Sequence, residues 1–290
     1  MTRFFLLAAG LGVRARPLSN QLAKPAFPLA GRSFVARLLA RLPVAPAMPG
    51  FINVCHLPGT VRAAIPAPPP SLTWIEEEKP TGSRVLRQSL DAGWDRLLVL
   101  NGDTWLEAPL AEMDRALDDS GAAAALLVRP DPQGRYTSLA IDADGALRKA
   151  PPRTCGTMYT GTALLTRRAV AAIESANFIA DLAARRLPVR LVPYAGPWLD
   201  GGTPALYLEA NLGFIARAGL PDAALISAGA HVERTARVTR SVVWPGAVVP
   251  AEATLDECLV MGGAAVPGGR HRRVLFSPAG ATPLRQEGTR

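Results

Sequence analysis

The chain has 290 residues, 49% of them apolar and 19% charged, which supplies a packed core and excludes a disordered polyelectrolyte. Its formal charge of +8 suits anionic partners, but only Lys24, Lys79 and Lys149 of the 32 basic residues are lysines, leaving 29 arginines. No basic run is interleaved with aromatics, which argues against a nucleic-acid surface and for small anionic ligands. Along the chain, Arg3 and the apolar run 4–9 imitate a short signal peptide, but the run stops at Gly10, and Arg14 and Arg16 stand where a cleavage site needs small residues. The run therefore reads as a buried first strand, bounded by Gly10 and Gly12. Helical spacing of Phe34, Val35, Leu38, Leu39 and Leu42 predicts a helix stopped by Pro43. Phe51–Val54 reads as a strand, Val85–Ala92 as a helix, Arg96–Leu100 as a strand, Ala111–Leu117 as a helix and Ala122–Val128 as a strand. Strand and helix alternate in this way to about residue 195, which predicts an α/β three-layer domain. Residues 205–218 read as a last amphipathic helix, closed by Gly219 and Pro221.

After that helix the pattern changes. Ala230, Ala236, Val242, Val248, Thr254, Val260 and Val266 recur every sixth residue, beside Ile226, Val232 and Val238. Period six predicts a short left-handed parallel β-helix of about two coils, with an antiparallel strand pair as the alternative. The expected domains are 1–220, 221–270 for the β-helix, and 271–290 as a loose tail. An exposed end of the β-helix invites self-association into a homo-oligomer. Cys55, Cys155 and Cys258 are odd in number and far apart, so a disulfide framework is not expected and a reducing compartment, the cytoplasm, is. No stretch reaches the roughly 20 apolar residues of a membrane helix, so no membrane insertion is expected.

Three motifs carry chemistry. Directly after the first strand comes Gly10-Leu-Gly12-Val-Arg14-Ala-Arg16-Pro17, then Lys24-Pro25. Glycines there let backbone N–H groups approach phosphate oxygens, and Arg14 and Lys24 supply balancing charge. Taken alone, Gly10-x-Gly12-x-x-Ala15 also fits a dinucleotide fingerprint, but that needs an acidic residue about twenty positions on, and none occurs before Glu76. Lys24 stands out in a chain that otherwise uses arginine, and a compact ammonium is a phosphate point contact. Leu98-Val99-Leu100-Asn101-Gly102-Asp103 sets a carboxylate at the carboxyl end of a buried strand, where open α/β sheets bind ligands. The third motif is Trp198-Leu199-Asp200-Gly201-Gly202-Thr203-Pro204.

The segment Leu7–Leu18, with Lys24-Pro25 and Pro28-Leu29-Ala30-Gly31, resembles the signature of the sugar-nucleotide pyrophosphorylases, and the likeness recurs in order through the first 215 residues. Within that family the chain is similar to bacterial N-acetylmuramate-1-phosphate uridylyltransferases and mannose-1-phosphate guanylyltransferases. The resemblance implies a Rossmann-like, GT-A-like nucleotidyltransferase fold, and a reaction between a nucleoside triphosphate and a sugar 1-phosphate that releases pyrophosphate. By it Arg14, Lys24 and Asp103 are catalytic. Ala9, Gly10, Gly12, Arg14, Gly82 and Asn101 contact the nucleotide. Tyr159, Gly161 and Asp200 approach the sugar phosphate, and Asp103 and Asp200 hold Mg²⁺, for which two hard oxygen ligands are suited. The chain departs from the family at Thr81–Arg84 and lacks a Glu-Lys-Pro element, where Arg148-Lys149-Ala150-Pro151 stands nearby. Base and sugar thus stay open, as do two rival readings: a non-catalytic sensing subunit, and cytidylyl transfer to an alcohol phosphate such as phosphocholine. His56, His231 and His271 show no metal or triad spacing, and no serine sits in a nucleophile elbow.

Overall fold

The computed structural model describes residues 1–42, 49–142, 146–149 and 156–285. Two compact units result, Met1–Leu11 with Val35–Trp198, and Gly12–Phe34 with Leu199–Arg290. The chain changes unit inside the glycine-rich turn, again between Phe34 and Val35, and a third time at 199, whereas the sequence placed a boundary at 220.

In the first unit, strand Thr2–Leu7 lies between Gly50–Val54 and Arg96–Asn101 and is parallel to both, and Leu72–Glu76 extends the sheet beyond Gly50–Val54. The two central strands are continuous apolar runs because the sheet is covered on both faces there: Phe4, Phe5 and Leu6 are buried, as are Leu97 to Leu100. On the far side of Arg96–Asn101 the long strand Gly156–Thr166 runs antiparallel, paired in turn with Ala124–Asp131, which Val189–Pro193 joins in parallel. One core cluster unites Phe5, Phe51, Trp94, Leu126, Leu165 and Phe178. The first three strands build outward to one side of Thr2–Leu7 and the fourth is added on the other, so the winding reverses between Thr2–Leu7 and Arg96–Asn101. Such a reversal opens a crevice at the carboxyl ends of the two strands. The expected helices at 34–42 and 111–117 form as Phe34–Arg41 and Leu110–Asp118, while the stretch expected as a helix at 85–92 is a 3₁₀ helix, Gly82–Ala92. Pro43 and Cys155 lie outside the described residues.

In the second unit, helix Pro204–Arg217 is buried on most of its surface. Thr203 caps it, its hydroxyl accepting from the Leu206 N–H at 3.3 Å, and Pro204 occupies the first turn, where its missing N–H costs nothing. The segment Gly12–Phe34 is fastened to it. Tyr207 donates its hydroxyl to the Pro28 carbonyl at 2.6 Å, and Asn211 accepts from the Ala30 N–H at 2.9 Å. Phe27, Tyr207 and Trp244 form a buried aromatic triad with ring centroids 5.3, 5.6 and 6.1 Å apart.

From Leu225 onward the strands stack in parallel on three faces. Leu225–Ile226, Val242–Val243, Leu259–Val260 and Val274–Ser277 make one stack, His231–Val232 and Val248–Val249 a second, and Arg237–Thr239, Ala253–Asp256 and Gly269–Arg272 a third. This arrangement is compatible with the expected β-helix. Its register departs from an even six: strand partners lie 17 residues apart, as in Leu225↔Val242, and later 16, as in Leu259↔Leu275. The interior ladders follow suit, with Ala230, Ala247 and Ala264 stacked, and Val232, Val249 and Val266. A 17-residue coil thus takes two steps of six and one of five, and a 16-residue coil one step of six and two of five. Val248, expected inside, is 50% exposed, and the interior position is Val249. The short step falls at a corner where Arg240, Glu257 and Arg273 all adopt positive φ. There Arg240 grips Asp256 through two nitrogens, and Arg273 donates to Glu257 at 2.8 Å. The segment expected to be a loose tail instead continues as strands, with Gly280–Pro283 folding back antiparallel onto Val274–Ser277. Among the described residues no helix is long and apolar enough to cross a membrane.

Candidate functional site

The first unit gathers several expected residues at the crevice where its winding reverses. Ala9 and Gly10 follow Thr2–Leu7, and Asn101 and Asp103 end Arg96–Asn101, with the Gly102 N–H bonded to the Leu7 carbonyl at 2.9 Å. Strand Gly156–Thr166 bulges between Tyr159 and Ala163. Gly161 sits in that bulge at φ +91°, and a Cβ there would lie 3.0 Å from the Asn101 amide nitrogen. Only glycine lets the bulge close on Asn101. Trp198 is tied to the same bulge, its indole N–H donating to the Thr160 carbonyl at 2.8 Å, with the Arg129 guanidinium 5.3 Å above the ring. The carboxyl-end placement of Asn101 and Asp103 thus follows from strand order, and that of Gly161 from the antiparallel register that sets Thr162 opposite Leu100.

Tyr159 is placed differently from the expectation of a sugar contact. Its ring packs edge-on against Phe178, and its hydroxyl is enclosed without a hydrogen-bond partner. Burial pushes that hydroxyl's pKa up, so it stays protonated. Gly82, expected to close over a base, is required locally for another reason: at φ +61° its Cβ would lie 2.4 Å from the Ala176 carbonyl oxygen.

Two residues that sequence reasoning passed over hold this region together. Asn53 accepts from the Ala8 N–H at 2.9 Å and donates to Glu77 at 2.6 Å, and Glu77 in turn accepts from the Thr81 N–H at 3.0 Å. The start of the glycine turn and the segment before Gly82 are thereby one hydrogen-bonded frame. The available signal was Asn53 itself, a polar residue, 2% exposed, within the apolar strand Phe51–Val54.

The second unit holds the basic part of the signature. Gly12 stands at φ +66°, where a Cβ would meet Ser19 Cβ at 2.7 Å and Lys24 Cγ at 3.3 Å. The Ser19 hydroxyl donates to the Gly12 carbonyl at 2.7 Å, locking the turn. Gly12 therefore brings the Lys24 stem in, and Gly10, with nothing within 4 Å of its Cβ position, is the glycine left open to a ligand. Asp200 accepts from the Gly202 N–H at 2.8 Å through Oδ1. A Cβ on Gly202 would lie 3.0 Å from that oxygen and 3.5 Å from Arg14 Nη2, so Arg14 and Asp200 converge on one glycine. Arg14, Lys24 and Asp200 thus share a frame, an arrangement suited to a phosphate whose charge is balanced partly by the protein and partly by a cation.

No family model matches the chain, and no curated protein matches it. Solved structures do. HddC from Yersinia pseudotuberculosis is 19% identical with a TM-score of 0.61, the match covering 74% of this chain and 100% of that one. The same protein complexed with GMP-PN gives 20%, 0.62 and the same coverage. A putative glucose-1-phosphate thymidylyltransferase from Bacillus anthracis, in complex with a sucrose, is 18% identical with a TM-score of 0.62, covering 77% of this chain and 96% of that one. The mixed α/β fold with its parallel-rich central sheet is the fold of these proteins.

Proposed function

We propose that this chain is a nucleotidyltransferase that joins a nucleoside triphosphate to a sugar 1-phosphate and releases pyrophosphate. The observation that carries the reading is the meeting of Ala9, Gly10, Asn101, Asp103 and Gly161 at the point where the parallel winding reverses. The printed names of two similar structures, one a putative glucose-1-phosphate thymidylyltransferase and one complexed with GMP-PN, support a nucleotide and a sugar phosphate as ligands.

In this mechanism the sugar 1-phosphate oxygen attacks the α-phosphorus in line, the bond to the bridging oxygen breaks, and pyrophosphate carries away the electron pair. Positioning and charge neutralisation do most of the work. The open backbone at Gly10 receives phosphate oxygens, Arg14 holds the β and γ phosphates, and Lys24 balances charge at the transferred phosphoryl group. Asn101 and the backbone around Gly82 orient the nucleoside, and Gly161 lets the sugar phosphate approach. The carboxylates of Asp103 and Asp200 are the hard oxygen donors that suit Mg²⁺, which when bound screens the phosphate charges. Tyr159 in this reading supports the Gly161 bulge from behind. The compartment is the cytoplasm, and copies associate through the C-terminal strands.

Magnesium-dependent pyrophosphate release, screened over the common triphosphates and sugar 1-phosphates, tests the reaction. Asp103→Ala is expected to abolish release while the variant keeps its circular dichroism spectrum. Undiminished release from that variant would overturn the metal assignment, and a wild-type chain that binds triphosphate without releasing pyrophosphate would favour a sensing subunit.

A further inference from the structure

Beside the signature turn, wholly within the second unit, lies a cavity of about 390 Å³, of whose lining the proposed reaction uses Arg14 alone. Three guanidinium groups line it: Arg14 and Arg16 from the turn, and Arg285 from beyond the final hairpin. No carboxylate lines it, and among the described residues none of the three guanidinium groups makes a hydrogen bond or ion pair. The first turn of helix Pro204–Arg217 also faces it through Thr203, Pro204 and Ala205, adding the partial positive charge of a 14-residue helix. Opposite these lie the apolar faces of Pro17, Leu275 and Leu284.

Each feature selects for something. Forked guanidinium groups match the oxygens of a phosphate, and three of them lining one cavity favour an anion there. A phosphate alone leaves most of the volume empty and the apolar wall wet, and a ligand with an organic body fills both. We propose that this cavity is a binding site for a small phosphomonoester, its phosphate held by Arg16, Arg285 and Arg14, and its uncharged body resting on Pro17, Leu275 and Leu284. Arg14 is also the residue assigned above to the triphosphate, so the two ligands draw on one side chain. Binding is then antagonistic, and by linkage equally so in both directions. The hairpin Val274–Pro283 places Arg285 at the cavity, which gives the C-terminal extension a task.

The test is equilibrium binding by titration calorimetry on the full chain, with no turnover measured, so failure of the proposed reaction leaves it intact. The probes are inorganic phosphate, glucose 6-phosphate and AMP. At least one of the two organic phosphates is expected to bind more tightly than inorganic phosphate. Arg285→Ala and, separately, Arg16→Ala are each expected to weaken that ligand about tenfold or more, the loss of one charge-assisted hydrogen bond. Affinity for the best-binding nucleoside triphosphate, measured without phosphomonoester, should stay within about twofold in both variants. Saturating phosphomonoester should weaken the triphosphate in the wild-type chain. Equal phosphomonoester affinity in wild type and variants overturns the proposal. So does a loss of triphosphate affinity as large as the loss of phosphomonoester affinity, which would make the cavity the end of the nucleotide site. Inorganic phosphate binding as tightly as both organic probes also overturns it.

Discussion

Gly10 and Gly12 belong to one motif but meet different surroundings, and replacing each by alanine separates folding from ligand binding. At Gly12 the backbone has φ +66°, where an L-residue loses about 1–2 kcal/mol. The new methyl would also stand 2.7 Å from Ser19 Cβ, which cannot retreat easily because its own hydroxyl is bonded to the Gly12 carbonyl. Such overpacking costs about 1–3 kcal/mol, so Gly12→Ala should lose about 2–5 kcal/mol in all. At Gly10 nothing lies within 4 Å of the Cβ position and φ is outside the left-handed region. Gly10→Ala should therefore leave stability unchanged or raise it by about 0.4–1 kcal/mol, through a less disordered unfolded chain. Its methyl would instead stand where a phosphate oxygen must approach the backbone. Losing one charge-assisted hydrogen bond should weaken triphosphate binding about tenfold or more. Urea unfolding gives the stabilities and calorimetry the affinities. Gly10→Ala with wild-type triphosphate affinity would refute the phosphate-cradle argument. Gly12→Ala with a wild-type unfolding midpoint would refute the conformational one.

Two further substitutions probe the second unit. Tyr207→Phe removes the acceptor for the Trp244 indole N–H, 3.0 Å away, in a residue 3% exposed; an unsatisfied buried donor should cost about 1–3 kcal/mol, read as a lower urea midpoint. Burial holds the Tyr207 hydroxyl's pKa above its ordinary value, so the folded chain keeps a proton that the unfolded chain releases, and stability should fall as pH rises past about 10. That alkaline loss should be smaller in Tyr207→Phe, and an identical pH profile would contradict the assignment. Glu257→Gln removes the carboxylate that Arg273 meets at 2.8 Å and that faces Arg240 and Arg272 at 3.5 and 3.7 Å. Leaving these guanidiniums less compensated at a positive-φ corner should cost about 1–3 kcal/mol, and an unchanged midpoint would show that the corner is held by backbone alone.

Three strands of the parallel half, near 4–9, 51–54 and 96–100, were legible as apolar runs, as at Leu7 to Gly10 and Leu100 to Asp103, whereas Leu72–Glu76, with Thr73 and Glu76 exposed, was not. Period and breaker residues are local signals, and strand ends at the carboxyl edge placed Asn101 and Asp103 without any knowledge of contacts. What was not legible depends on distant partners. Gly82 and Gly161 read as ligand-facing glycines, and the structure adds a packing reason no local pattern shows: their missing Cβ atoms answer to Ala176 and Asn101, 94 and 60 residues away in sequence. Tyr159 was placed near the sugar by the family resemblance of Tyr159-Thr160-Gly161, and its edge-on packing against Phe178 depends on a residue 19 positions on that no local pattern shows. Period six is compatible with the short parallel strands of the structure, yet it could not show the five-residue step, because Val242 and Val243, like Val248 and Val249, are adjacent valines. Either member of each pair fits the pattern, and only the packing, which puts Val243 and Val249 into the interior cluster, chooses.

The placement of Gly12–Phe34 changes what the C-terminal strands are for. The sequence suggests a catalytic domain ending near 220, followed by an appendage suited to assembly. In the structure the basic part of the signature, Arg14 to Lys24, shares a unit with those strands. Phe27, three residues after Lys24, lies between Tyr207 and Trp244, and Gln21 donates to the Gly262 carbonyl at 2.8 Å. A signature turn that must hold arginine and lysine side chains near one another works against their repulsion, and so needs rigid support beneath it. Trp244 and Gly262 supply that support from successive coils. The parallel-strand stack is therefore part of the scaffold of the proposed phosphate site, and changes in it should be felt first at Lys24 and Arg14.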